Sequence, residues 1–203
     1  MSTPTHKCDA PDLTFSEIEH KFVVDDDFDL SRFRRTMESL TPTRTNTVQV
    51  VDRYFLTESG QRQQFVVRHR YDRELQHLTI KSVGGDSEVR SEINLDLGQH
   101  AGNQEKAVDA FLQRFGVGWS GAIHKNVAVW YFPDLEAVHY RASTNTRILS
   151  CVEFEAIKKP SVPEALKVLE RYERATGFAG RPRAHESLPQ LLFPELTNLL
   201  SHA

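Results

Sequence analysis

Cysteine is scarce in this chain. Its 203 residues hold two, Cys8 and Cys151, and no C-x-x-C pair. Neither a structural zinc site nor a disulfide framework is therefore expected, and a reducing compartment is. No apolar run reaches the roughly 18 residues that a spanning helix needs, and no charged-then-apolar leader opens the sequence. A cytoplasmic location and no membrane partner are the expectations. A basic surplus is also missing: 25 Lys and Arg stand against 28 Asp and Glu, a net charge of −3. Proteins that work by neutralising nucleic-acid phosphates usually carry such a surplus. No nucleic-acid partner is expected, and any basic cluster must be local. Repeats and low-complexity tracts are absent as well.

What remains is an ordinary globular composition, 39% hydrophobic and 26% charged, with length enough for a real core. The polar, proline-bearing stretch 1–12 reads as a flexible tail, and 13–203 as a single domain. Short alternating segments dominate: TFSEIEHKFVV, TVQVVDRYFLT, QQFVVRHRYD, LQHLTIKSV, EVRSEINLDL, AIHKNVAVWYF, LEAVHYRA and TRILSCVEFEAI. Each is rich in β-branched or aromatic residues and bounded by turn residues such as Ser59-Gly60 and Gly84-Gly85-Asp86. Helices are fewer. DDDFDLSRFRRTMESL repeats Leu30, Phe33, Met37 and Leu40 at helical spacing, with Asp29 as cap. NQEKAVDAFLQRFG puts Ala107, Phe111 and Phe115 on one side and stops at Gly116. EALKVLERYERATG starts near Pro163 and closes at Gly177. A partly helical tail follows. The pattern predicts an α+β protein whose antiparallel sheet closes on itself, with helices outside.

Five of the strands carry their ionisable residues on one face. Glu17, Glu19 and Lys21 oppose Ile18, Phe22 and Val24. Arg68 and Arg70 oppose Val67 and His69. Lys81 shares a face with Thr79. Arg90, Glu92 and Asn94 oppose Val89, Ile93 and Leu95. Glu153 and Glu155 oppose Val152, Phe154 and Ala156, and Arg147 shares their parity. A merely solvated face would mix Ser, Thr, Gln and Lys. This one is dense in Arg, the fork that grips carboxylate or phosphate oxygens, and in paired carboxylates. Oxygen ligands among cations suit a divalent metal beside an anion. In a barrel whose apolar faces meet outer helices, the charged faces line the lumen, where charges need partners. A polyphosphate with its metal ions would be such a partner.

The order of these strands resembles the CYTH domain family, the triphosphate tunnel metalloenzymes. E-I-E-H-K resembles the family's E-x-E-x-K. D-R-Y-F resembles its second-strand element, V-V-R-H-R its R-x-R strand and L-T-I-K its lysine strand. V-R-S-E-I-N resembles R-x-E-x-E, V-E-F-E the late E-x-E, and E-S-L-P-Q-L-L the C-terminal S-Y-x-x-L-L. The matches run from Leu13 to Leu192. The resemblance implies a closed eight-stranded antiparallel tunnel that takes a small-molecule triphosphate with Mg²⁺ or Mn²⁺. By it, Glu17, Glu19, Glu153 and Glu155 would hold metal with Glu92 as helper, and Lys21, Arg68, Arg70, Lys81 and Arg90 would grip phosphate. Glu17, Glu19 and Lys21 are then the catalytic candidates. The sequence departs at four places: Val127 stands where K-x-R, begun at Lys125, expects a base. Arg141 is the nearest match to an expected aspartate, Asn94 replaces an acid, and Leu188 replaces a tyrosine. Lys125, Arg141 and Arg147 are candidates to supply the cations that remain.

The function expected is metal-dependent hydrolysis of a terminal phosphoanhydride in tripolyphosphate, thiamine triphosphate or a nucleoside triphosphate. A class IV-type adenylate cyclase and a non-catalytic polyphosphate-binding module are the alternatives. Changing Glu19 to Gln is expected to leave the fold intact by relieving like-charge repulsion. His20 and His69 read as outer packing residues, Cys151 as an inert thiol, and Arg181 and Arg183 as a solvated loop with a secondary option of steering anions. The apolar segment LPQLLFPELTNLL suits the barrel or a second subunit, which leaves a homodimer open.

Overall fold

The structure, a computed structural model, describes residues 13–83, 88–158 and 160–201. The expected tail 1–12, with Cys8, and the Gly84-Gly85-Asp86 turn lie outside the described residues. Eight strands are present: β1 Ser16–Val24, β2 Arg44–Thr57, β3 Phe65–Tyr71, β4 Gln76–Ser82, β5 Val89–Asp96, β6 Val117–Tyr131, β7 Leu135–Ser143 and β8 Ile148–Ala156. They close into an antiparallel barrel in the order β1-β5-β4-β3-β2-β6-β7-β8. The closure runs through β1, whose first residues pair with β5 (Glu17 with Arg90) and whose later ones pair with β8 (Lys21 with Glu153). An eight-stranded barrel leaves an interior about wide enough for side chains or one small ligand.

The helices lie outside or at one end. α1, Leu30–Ser39, begins where the Asp29 carboxylate accepts from the Arg32 amide at 2.8 Å. α4, Val162–Thr176, has Ser161 as cap, Pro163 in its first turn and Gly177 in the left-handed conformation at its end. Both press on the outer face of β1 and β8. Phe33, Met37, Leu169 and Phe178 pack there on Ile18, Phe22, Val152 and Phe154, so the apolar face of the first strand is spent outward, as expected. α3, Glu105–Gln113, covers Phe55 and Val67, but with a different face from the one its sequence suggests. Val108 and Leu112 are buried, whereas Phe111 and Phe115 stand exposed and tilt against each other at 5.1 Å.

One helix was not expected. Ser59-Gly60 is not a turn between strands but part of α2, Glu58–Gln63, capped by the Thr57 hydroxyl on the Gly60 amide at 3.0 Å. Glycine is required there because a Cβ would sit 2.5 Å from the Phe65 carbonyl oxygen. The C-terminal tail forms α5, Leu188–Leu192, and α6, Pro194–Ser201. It does not lie on the outer wall. Leu188, Leu192, Leu196 and Leu200 pack on inward-facing Val50, Tyr54, Leu56, Val66 and Cys151. These helices plug one end of the barrel. Gln61 and Gln64 tie down the end of α6 through the Leu199 and Leu200 carbonyls at 2.8 and 2.9 Å.

Candidate functional site

Alternation along each strand decides what enters the lumen. From β1 come Glu17, Glu19 and Lys21; from β3, Arg68 and Arg70; from β4, Lys81; from β5, Glu92; from β6, Lys125; from β8, Glu153 and Glu155. All ten line one cavity of about 260 Å³. A water occupies roughly 30 Å³ of liquid, so this is space for a small molecule rather than a single ion. The cavity runs from the plug to the end where β2 and β7 begin.

The charges neutralise one another in layers. Lys21 Nζ sits 3.1 Å from Glu19 and 3.2 Å from Glu153. Lys81 Nζ sits 2.5 Å from Glu17 and 3.1 Å from Glu92. Arg68 reaches Glu92 at 3.2 Å and Thr79 at 3.3 Å. Asn94, in place of an expected acid, donates to Glu92 at 3.1 Å and accepts from Thr79, so it steadies that carboxylate. Arg90 is buried, donating to Glu19 at 2.9 Å and to the His185 carbonyl at 3.1 Å. Burial would raise Glu19, but Lys21, Lys81 and Arg90 outweigh it and draw the carboxyl down to about 2. Neutralising Glu19 would thus strand two buried cations, the reverse of the relief expected from sequence.

A second centre was not foreseen in the sequence beyond its motif. Asp52, fully buried on β2, accepts two bonds from Arg70 at 2.7 and 2.8 Å and holds Lys125 Nζ at 2.5 Å. Burial opposes ionisation, yet Arg70 and Lys125 keep its carboxyl well below the usual range. Lys125 itself is pushed down to about 8, by burial first and the Arg70 charge second, with Asp52 opposing.

The carboxylates toward the open end lack enough cations. Glu155 lies opposite Glu19 and Glu136 across β1 and β7. Burial, then Glu17, Glu19 and Glu136, push its carboxyl well up. Burial and Glu19 likewise bring Glu17 to about 7 despite Lys81. Glu17 Oε2 and Glu92 Oε2 are both buried and share one cation, the Lys81 ammonium. Among the described residues, no three His, Cys, Asp or Glu side chains converge as a ready-made metal site. The donor chemistry nevertheless suits a hard divalent cation: oxygen ligands only, crowded by like charge.

Four expected residues sit outside the cavity lining, the first being Arg90, whose guanidinium is held by Glu19 and the His185 carbonyl. Arg147 is exposed in the turn between β7 and β8, where it donates to the Leu191 carbonyl at 3.2 Å and braces the plug. Arg141 points outward from β7, because Glu136, Val138 and Tyr140 take the inward positions. The lumenal acid of β7 is therefore Glu136, which reading by parity from Tyr140 would have found. Arg183 is not a free loop cation. It is held by Glu88 at 2.6 Å and Glu173 at 3.3 Å, in a cluster with His20 behind β1. Burial and then Glu153 raise the Cys151 thiol to about 12, consistent with an inert residue.

No family model matches the chain, and no curated protein matches it. Solved structures do. A protein of Pyrococcus horikoshii aligns over 87% of this chain and 99% of its own, with a TM-score of 0.70 and 18% identity. A Bacillus halodurans protein assigned as an adenylate cyclase aligns over 88% and 99%, with a TM-score of 0.57 and 17% identity. A Hippeastrum protein aligns over 86% and 93%, with a TM-score of 0.55 and 17% identity; its description joins an adenylyl cyclase assignment to a dominant triphosphatase activity. At these identities the likeness is one of fold, and it spans nearly the whole of each partner. Together with the closed eight-stranded barrel and its charged lumen, it shows that this chain has the CYTH, or triphosphate-tunnel, fold.

Proposed function

We propose that the lumen binds a triphosphate together with a divalent cation and hydrolyses its terminal phosphoanhydride. The observation that carries this reading is the convergence of Lys21, Arg68, Arg70, Lys81 and Lys125 on one plugged cavity. A triphosphate brings about four negative charges near neutral pH, and its transfer chemistry depends on neutralising them and holding the reacting oxygens in line. The cations already face carboxylates in the free protein. Binding would exchange those internal partners for phosphate oxygens and free the carboxylates of Glu17, Glu19, Glu153 and Glu155, with Glu92 and Glu136 beside them, to hold Mg²⁺ or Mn²⁺. A cation there would supply Lewis acidity toward the phosphate oxygens. A carboxylate of this set that the cation leaves free would take a proton from the attacking water. Water adds to the terminal phosphorus, the bridging P–O bond breaks, and orthophosphate and the diphosphate leave by the end that is not plugged.

A second reading, nucleotide cyclisation, is supported by the descriptions of two structural neighbours. One assay separates the two: products from tripolyphosphate, thiamine triphosphate and ATP, with Mg²⁺, Mn²⁺ or EDTA. Orthophosphate formed only with metal is expected. Pyrophosphate with cyclic AMP would replace hydrolysis by cyclisation. Absence of any product, with binding retained, would leave a binding module.

A further inference from the structure

Where α1, α3 and α4 back the barrel, the outward side chains of the strands are apolar and buried. Where water backs it, as at Thr47 and Gln49 on β2 and at His124 and Asn126 on β6, they are polar. An antiparallel sheet with one wet face normally alternates in this way. β4 and β5 depart from it. Lys81 and Glu92 turn into the lumen, which sends Ile80, Ile93 and Leu95 outward. Ile80 and Ile93 are direct neighbours across the two strands, and Leu95 lies beside Leu78. Among the described residues, no helix covers these three: Ile80 is 40% exposed, Ile93 37% and Leu95 59%. The outward positions around them, Ser82, Val89 and Ser91, add no charge. A contiguous uncharged apolar face on an otherwise charged molecule marks an interaction site.

The face continues onto α3. Asp109 accepts from Arg53 on β2 at 2.7 Å. Residue 111 follows two positions later, about 200° around the helix, so Phe111 projects from the flank turned away from β2, toward β4. Its ring and that of Phe115 tilt together at 5.1 Å, and both are more than half exposed. An aromatic ridge on a helix thus borders a lower aliphatic floor on the sheet. The chain has little else to cover them. Its apolar C-terminal segment is spent in the plug. The stretch 1–12 contains one large apolar side chain, Met1, and two prolines, too little for three aliphatic side chains and two rings. A second copy supplies what is missing. A face without charge meets its own duplicate with no like-charge repulsion, and two-fold symmetry lets each ridge lie on the other floor.

We infer that the chain forms a two-fold dimer in which Phe111 and Phe115 of each copy pack on Ile80, Ile93 and Leu95 of the other. Sedimentation velocity of the full chain tests this. At about 10 µM, above the Kd of standard-sized interfaces, which runs from µM to pM, the wild type should sediment as a dimer. Leu95→Glu and Phe111→Lys, both at exposed positions and checked for an unchanged Tm, should each weaken the dimer about tenfold or more by setting a charge against apolar surface. Mixed together, the two variants should associate about tenfold more tightly than either does alone, because the mixed pair sets the new acid on the new base at one contact and keeps the native contact at the other. A monomeric wild type overturns the inference, whether the stretch 1–12 or a different protein covers the face. A dimer that neither substitution weakens overturns it too, and so does a mixture no tighter than the separate variants.

Discussion

The two halves of the barrel obey the same alternation and spend it in opposite ways. In β1, β3 and β8 the apolar residues face out to α1, α3 and α4, and the ionisable ones face in. In β2 and β6, Val48, Val50, Val127 and Val129 face in, while Thr47, Gln49, His124 and Asn126 face solvent; where α3 covers Phe55 and α1 covers Ala128 and Trp130, apolar residues of these strands face out. Helix cover explains the difference. A strand backed by a helix can bury its apolar face outside and release the inner face for chemistry; a strand backed by water must bury it inside. Asp52 and Lys125 are the exceptions on the apolar half. They meet across β2, where Asp52 binds Arg70 from β3 on one side and Lys125 from β6 on the other.

The largest expected effect lies in the charged half. Glu19→Gln removes the carboxylate shared by buried Lys21 and Arg90, leaving them Glu153 and the His185 carbonyl, and should cost about 3 kcal/mol, the lower end for breaking a buried ion pair; urea denaturation of the purified variant reads it directly. An unchanged midpoint would mean that these cations find water or other acids. Next, Arg68→Ala should weaken triphosphate binding by about 1.5–3 kcal/mol, as for a charged hydrogen bond, in a calorimetric titration. A comparable loss from an exposed cation such as Arg147 would place the anion outside the lumen.

Smaller effects separate the paired carboxylates from the crowded ones. Glu17 and Glu155 both bind protons more tightly folded than unfolded. The stability they contribute is full below the unfolded value of 4.5 and is lost as pH rises through about 7, where Glu17 ionises. Glu17→Gln should therefore flatten the fall of Tm across that window and raise Tm above it by roughly 2–4 °C, the shift that about 1 kcal/mol gives at this size. A steeper fall in the variant would contradict the crowding. Smallest of all, Lys125 loses its charge as pH rises through about 8, so triphosphate affinity should drop a few-fold there. Lys125→Arg, which cannot deprotonate in this range, should remove the drop while the wild type keeps it.

Much of this was legible in the sequence where a residue's position and its chemistry coincide. Glu17, Glu19 and Lys21 alternate without interruption, and Asp29 caps the helix that its apolar spacing announces. Legibility failed where a tertiary neighbour decides. Gly60 reads as a turn until the Phe65 carbonyl is seen to demand it inside α2. Phe111 and Phe115 outrank Val108 and Leu112 in bulk, yet the barrel surface accepts the smaller pair. On β7 the chemistry sought, an acid, pulled attention to Arg141, when parity alone assigns Glu136 to the lumen. The polarity of the other half was least legible, because nothing in TVQVVDRYF or KNVAVWY tells which face a helix will cover.

The most direct test is titration of tripolyphosphate into the protein in Mg²⁺, beside Arg68→Ala and Lys81→Ala made in the same background. The expected result is saturable binding of one tripolyphosphate per chain, weakened at least tenfold by either substitution. Binding that ignores both substitutions, or no binding to the folded wild type, would contradict a lumenal triphosphate site.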